Sequence, residues 1–395
     1  MRILFLLDRL PGKIDDGYTL RTRNICKCLI DKGNQIFMAH ITNEQNFEQI
    51  QYDDMVDILP IRFDYYNKFQ GKLYNIFCSY FRLIGAYSPN EIKSFHKELK
   101  KIVKHNNIDL IHVQGHFLGL SLVNFQEVPK LLDLADSMTL YLERKIKIET
   151  SLSNKLKNLF YYNWYKNIEK RLLENYKIVT VVSDQDLFTL KTIYENTLIM
   201  SIPNGINTDF FHPIYQDEYY HSIFFHGTMD FKPNIDAVNY IYDQILPLIR
   251  KEIPNLKFFV IGRNPTPDIE KLDDGKRVIV TGKVEDIRIY ISKCNIALMP
   301  MKSGSGIKNK ILEAMSMEKP VITNPMGAEA FDEEIKNVLL IGKNERELAQ
   351  YIIKLLKNSH MRQEIGKESR KLVKKYSWNK TSQEYENLYK KLLDV

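Results

Sequence analysis

Three features of this 395-residue chain predict an α/β protein made of two successive doubly wound parallel sheets. Short apolar runs alternate with longer segments of helical spacing. The alternation starts afresh after about residue 220. Between the two series lies Ile202-Pro203-Asn204-Gly205, where Pro203 disfavours helix before it and Gly205 can take positive φ.

In the first series the apolar runs Ile3–Leu7, Ile36–His40, Leu110–Val113, Lys130–Leu134 and Ile178–Val182 read as buried parallel strands. Helical spacing is found at Leu20–Lys32 and Glu91–Lys104. In the second series the strands are Ser222–His226, Lys257–Ile261, Val278–Thr281, Ile296–Met299, Pro320–Thr323 and Val338–Ile341. The matching helices are Asn234–Lys251, Asp286–Ser292, Ile307–Met317 and Glu345–Leu356, and Ser377–Leu393 reads as a last amphipathic helix. Strand–helix alternation places helices on both faces of a parallel sheet. Ligands of such sheets bind outside the carboxyl ends of the strands, so with two facing domains the cleft between them is the expected site.

Composition narrows the class. Hydrophobic residues make up 44% and charged residues 27%, as in globular proteins. The +7 charge is spread evenly, with 27 basic and 23 acidic residues in positions 1–200, which argues against nucleic acid as partner. The four cysteines, Cys26, Cys28, Cys78 and Cys294, form no framework, which fits a reducing cytoplasmic compartment. The start, MRILFLLDRLP, is too short and too charged for a signal peptide, and no run of about 18 apolar residues occurs. No metal or other cofactor is expected.

The stretch with most chemistry is Ile296 to Met317. Its strand ends near Pro300 in a loop with Gly304, Ser305 and Gly306, and a helix is expected to start near Ile307. Small residues let a ligand approach the backbone, and the unpaired first-turn N–H groups with the helix dipole make an anion site. Lys308 and Lys310 add positive charge where the dipole disfavours it, which points to an external anion such as a diphosphate. Glu313, three positions after Lys310, shares its helix face. On spacing alone an ordinary turn followed by a surface ion pair remains an equal reading.

Four ordered blocks resemble the retaining glycosyltransferases of family 4, which have the GT-B fold. They are Ile202-Pro203-Asn204-Gly205 through Pro213, His226-Gly227-Thr228-Met229 through Ala237, Val280 through Asp286, and Gly306-Ile307-Lys308-Asn309-Lys310 through Met315 with Pro320 to Thr323. The resemblance spans nearly the whole chain and implies an N-terminal acceptor-side Rossmann-like domain over 1–203. A nucleotide-sugar donor domain would follow over 204–376, and a helix over 377–395 would return to the first domain. By resemblance Glu313 is the second glutamate of a pair that binds the donor ribose. The first would fall at Ser305, a departure from the family. The usual Arg and Lys after the first donor strand are also replaced, by Thr228 and Met229, with Lys232 nearby. The diphosphate then falls to Gly304, Ser305, Gly306, Ile307, Lys308 and Lys310. Gly227 opens the domain, and Gly282, Lys283 and Val284 match the stretch that meets the base.

In the first domain Gly17 matches a glycine loop near the phosphates, with Arg21 one turn on as an anion contact. His116 and Asp136 follow strand ends and are the candidates for the reacting centre; the alternative is that Asp136 caps a loop and His116 fills space. Residues 65–90 and 144–171 are basic and aromatic, the second with eight basic and two acidic residues around Phe160, Tyr161, Tyr162, Trp164 and Tyr165. Either they face an anionic bilayer, or the aromatics are core and the lysines a solvated face.

The expectation is a cytoplasmic retaining glycosyltransferase at the inner face of the membrane. It would move a sugar from a nucleotide diphosphate to a glycan or lipid-linked acceptor, in bacterial surface-polysaccharide synthesis. The alternatives are a non-catalytic GT-B partner of a transferase and a sugar-nucleotide epimerase.

Overall fold

A computed structural model describes residues 1–8, 17–42, 56–62, 89–303 and 306–394 of the chain. It divides into two compact units, Met1–Pro203 with Trp378–Val395, and Asn204–Ser377.

The first unit holds strands β1 (Arg2–Leu7), β2 (Gln35–Thr42), β3 (Val56–Arg62), β4 (Leu110–Gln114), β5 (Lys130–Ala135), β6 (Ile178–Val181) and β7 (Leu198–Ser201). They form one sheet in the order β3-β2-β1-β4-β5-β6-β7, parallel throughout. In the second unit β8 (Ser222–His226), β9 (Lys257–Ile261), β10 (Val278–Val280), β11 (Ile296–Met299), β12 (Val321–Thr323) and β13 (Leu340–Ile341) give β10-β9-β8-β11-β12-β13, again all parallel. Each sheet is doubly wound, and its order reverses beside its first strand, at β1/β4 and at β8/β11. Loops leave the carboxyl edge to opposite sides there, and the crevice opens.

Two strands lie beyond the sequence expectation, and both are sheet edges. In β3 the sequence Val56-Asp57-Ile58-Leu59-Pro60 carries a proline, which an edge tolerates because no ladder bond is required on its free side. In β7 only Ile199 of four residues is buried. The strand expected at Val338–Ile341 is shorter, because Glu333–Val338 is a helix capped by Asp332.

β1 shows why interior strands read as unbroken apolar runs. Ile3, Phe5 and Leu7 join a core with Ile25, Cys26 and Leu29 of the Gly17–Asp31 helix, while Leu4 and Leu6 join the opposite core with Leu99, Leu118 and Leu172. Alternate side chains enter different cores, so both must be apolar. The Gly17–Asp31 face is closed by the Trp378–Leu393 helix through Trp378, Tyr385, Leu388, Tyr389 and Leu392.

That closure is polar at its centre. Arg21 is 2% exposed. Its Nε donates to Asp133 Oδ2 at 3.2 Å, and its terminal nitrogen donates to the Ile202 carbonyl at 3.0 Å and to Tyr385 Oη at 2.5 Å. Tyr385 Oη in turn donates to Asp133 Oδ2 at 2.8 Å. His112 stacks on Phe5 and its Nδ1 lies 2.6 Å from Tyr389 Oη. Burial alone would raise the Asp133 pKa, but the Arg21 charge and the hydrogen bonds from His112 and Tyr385 hold it well below the usual carboxylate range. Arg21 was expected to contact an external anion. Its Nε and one terminal nitrogen engage Asp133, Tyr385 and the Ile202 carbonyl instead, so it ties two helices to the strand ends.

Asp133→Asn removes the carboxylate from this dry cluster and is expected to cost about 3–5 kcal/mol in denaturant unfolding. Because the folded pKa of Asp133 is depressed, its stabilisation is full above about pH 4 and is lost as pH falls through the folded value. A cost under about 1 kcal/mol would show the cluster to be inessential.

Candidate functional site

In the second unit, parallel pairing brings the ends of β8, β9, β10 and β11 to one edge. β8 ends at His226 and passes to Gly227, and β9 passes to Gly262, with φ of 152° and 154°. A Cβ on Gly262 would stand 1.8 Å from the Gly227 carbonyl oxygen. A Cβ on Gly227 would meet Asn234 Nδ2 at 2.7 Å and Lys310 Nζ at 3.2 Å. Glycine is required at both, and the space saved lies beside a lysine ammonium.

β11 runs through Met301 toward Gly306, which has φ 65°. Residues 304–305 lie outside the described residues, so the placement of Gly304 and Ser305 does not enter here. The helix begins at Asn309, two residues later than expected, and spans Asn309–Ser316. Ile307 is not helical, and its side chain is buried in the core. Lys308 is the N-cap, without a side-chain cap bond, and its Nζ donates to the Gly306 carbonyl at 2.9 Å. Lys310, in the first turn, donates from Nζ to Asn234 Oδ1 and sits 4.2 Å over the Phe225 ring. Asn234 is fixed in turn by donating from Nδ2 to the Thr228 carbonyl at 2.8 Å.

Glu313 points back to β8, where its Oε2 lies 2.7 Å from His226 Nε2. The other imidazole nitrogen, His226 Nδ1, is buried without a hydrogen-bond partner among the described residues. Burial drives the Lys310 pKa down to about 7; Glu313 opposes the fall and Lys308 adds to it. This ammonium is enclosed by an amide, a ring and a second lysine, and a bound anion would restore its charge.

Gly282 (φ 63°), Lys283 and Val284 follow β10 on the same sheet edge, with Lys283 exposed and Val284 packed on the core. Lys232 is not brought in. Its side chain is 77% exposed and pairs with Asp236 one turn along its own helix, at 2.6 Å.

In the first unit the residues before Gly17 lie outside the described residues, and Gly17 itself opens the Gly17–Asp31 helix. His116 starts a short helix after β4, and its Nε2 is 3.0 Å from Glu169 Oε1. The buried Glu169 also accepts from the Met138 N–H at 2.7 Å and the Ser137 hydroxyl at 3.2 Å. Asp136 follows Ala135, whose φ is 60°, at the irregular end of β5. Beside it Asp186 accepts from the Ser137 N–H at 2.8 Å. Burial pushes the Asp186 pKa up to about 6, the Asp136 charge acting in the same direction against the Ser183 and Ser137 bonds. His116 and Asp136 are thus fixed around one corner, Ser137.

Residues 220–358 match a family model described as glycosyl transferases group 1. An uncharacterised glycosyltransferase of Methanocaldococcus jannaschii is 25% identical over 96% of this chain and 95% of its own. An uncharacterised 44.6 kDa protein in the cps region of Klebsiella pneumoniae is 23% identical over 71% of this chain and 73% of its own. A variant of S. aureus TarM, solved with fondaparinux, α-GlcNAc-glycerol and UDP, superposes with a TM-score of 0.69 at 13% identity, covering 98% of this chain and 99% of TarM. Residues 220–358 are a group 1 glycosyltransferase domain, and the chain has the GT-B fold.

Three residues around Lys310 and Glu313 went unselected in the sequence, Phe225, His226 and Asn234, and in the first unit so did Glu169 beside His116. Asn234 had a signal, since it follows Pro233 at the start of a helix within a conspicuous block, where an amide side chain serves the turn. Glu169 lies 53 residues from His116, and nothing local links them.

Because the Lys310 pKa is depressed in the fold, the group favours the folded state progressively more as pH rises from about 7 toward its unfolded value, and less as pH falls back. Binding of a nucleoside diphosphate to the glycosyltransferase should run the opposite way. Affinity measured by calorimetry is expected to weaken about tenfold per pH unit above 7, with proton uptake. Lys310→Met should weaken binding and flatten the slope; an unchanged slope would mean that Lys310 does not meet the phosphates.

Proposed function

We propose that the protein is a retaining transferase that uses a nucleoside-diphosphate sugar, with the diphosphate held at the Asn309–Ser316 helix. The carrying observation is the convergence of Lys308, Lys310, Glu313 and Gly227 at the β8/β11 reversal point, where doubly wound sheets bind ligands. In the reaction the bond from the anomeric carbon to the phosphate oxygen breaks as the acceptor oxygen bonds to the same face. The acceptor proton passes to the departing phosphate. The charge that grows on the diphosphate is met by Lys308, Lys310 and the first-turn N–H groups, preorganised before the reaction. With this charge supplied by side chains and backbone, the reading assigns no step to a metal.

Glu313, oriented by His226, is assigned to the ribose hydroxyls, and the Gly282–Val284 backbone to the base. His116 and Asp136 are assigned to the acceptor side. Support for a nucleotide donor comes from TarM, whose structure was solved with UDP. Support for a role in surface polysaccharide comes from the relative in a cps region. The reading places the enzyme in the cytoplasm, with a glycan or lipid-linked acceptor. Among the described residues no helix is long and apolar enough to cross a membrane.

A panel of nucleotide sugars with product analysis tests this. Lys310→Met is expected to lower turnover about 100-fold, the loss typical for one preorganised charge-stabilising group. Glu313→Ala is expected to raise the donor KM. If no nucleotide sugar binds or reacts, and Glu313→Ala changes nothing, the reading fails.

A further inference from the structure

The helical hairpin Met138–Ile148 and Leu152–Asn175 carries an apolar surface that the fold leaves uncovered. At about 100° per residue, Asn158, Ile168, Glu169 and Leu172 fall on one side of the second helix, and all are buried. Trp164 and Tyr165 also pack against the core of the first unit. These two aromatics, expected from the sequence as bilayer contacts or core, are core.

Leu152, Leu156, Leu159 and Phe160 fall within an arc of about 100° on the opposite side. Leu152 is 80% exposed, Leu156 68% and Phe160 57%. Ile148, at the end of the preceding helix, is 67% exposed and continues the surface across the turn. A soluble helix needs only one apolar face, and this one has two. A contiguous exposed apolar patch marks an interaction surface.

The charges around it choose the partner. Lys145, Lys155, Lys157 and Lys166 border the patch, Lys147 pairs with Glu143 one turn back at 2.7 Å, and Glu149 is the one acid between residues 144 and 168. Glu149 is engaged by the backbone N–H groups of Thr150 and Ser151 in the turn. A second copy of the chain would set lysines against lysines. A bilayer with acidic headgroups matches both parts: leucine and phenylalanine enter the acyl boundary, while lysine stems reach back to the phosphates.

We propose that the Ile148–Phe160 tip of this hairpin seats the protein on an anionic lipid surface. The inference goes beyond the transferase reading and does not depend on it. The other segment expected at a bilayer, residues 65–90, falls outside the described residues up to position 88.

Flotation of the full chain tests the proposal, using vesicles of phosphatidylcholine alone and vesicles with about a third phosphatidylglycerol. The protein should float with the acidic vesicles, not with the neutral ones, and should be released by about 0.5 M salt. The variant with Leu152→Glu, Leu156→Glu and Phe160→Glu should lose at least tenfold in the bound fraction. The exchanged side chains are solvent-facing, so its circular dichroism and nucleotide binding should match the wild type. Failure to float, equal flotation on neutral vesicles, or flotation unaffected in the triple variant would each overturn the proposal. So would a concentration-dependent dimer that the triple variant dissolves without any vesicle binding, since a second copy would then cover the face.

Discussion

Both sheets are wound so that the first strand of each unit lies inside, with β2 or β9 on one side and β4 or β11 on the other. Everything else at the site follows from that constraint. Parallel strands send all their following loops to one edge, and only beside β1 and β8 do successive connections depart in opposite directions. Residues distant in sequence, such as His226 and Glu313, meet there because β8 and β11 are neighbours. The paired glycines 227 and 262 let the β8 and β9 exits approach closely, leaving the Lys310 ammonium against the backbone.

The two units each enclose a cation and treat it oppositely. Arg21 meets a carboxylate, a phenol and a carbonyl within its own unit, and its pKa stays high despite burial. That pattern belongs to a structural pair, its charge compensated by a buried carboxylate of the same unit. Lys310 meets an amide and a ring, while the carboxylate one turn away is held by His226. Its charge is therefore the one that is poorly supported by the fold alone. Perturbed groups of this kind concentrate where ligands bind.

This contrast also explains what the sequence could reveal. Interior strands such as β1 and β8 were legible because burial on both faces makes them apolar throughout. The edge strands β3 and β7 lack that signature, and Pro60 argues against a strand unless the edge position is known. Gly227, Lys310 and Glu313 were legible through ordered blocks of sequence. Arg21 and Lys232 were misplaced for a shared reason: a cation near a strand end looks the same on paper whether it faces a ligand, a buried aspartate or the next turn of its helix. Only the partner distinguishes them, and Asp133 lies 112 residues from Arg21.

The first turn of the Asn309–Ser316 helix breaks a local rule. Two lysines sit where the dipole favours acids, and no side chain caps the helix. A helix of eight residues gains little from propensity, so its stability comes from Ile311, Leu312, Ala314 and Met315 packed into the core. That anchoring lets the fold tolerate an unfavourable charge arrangement at the start of the helix. Under the proposed reading an anion with two phosphates would offset these terms at once, by meeting the dipole, the first-turn N–H groups and both ammonium groups. Local disfavour held in place by a firm core is the form a preorganised anion site takes, because its groups need not rearrange when charge arrives.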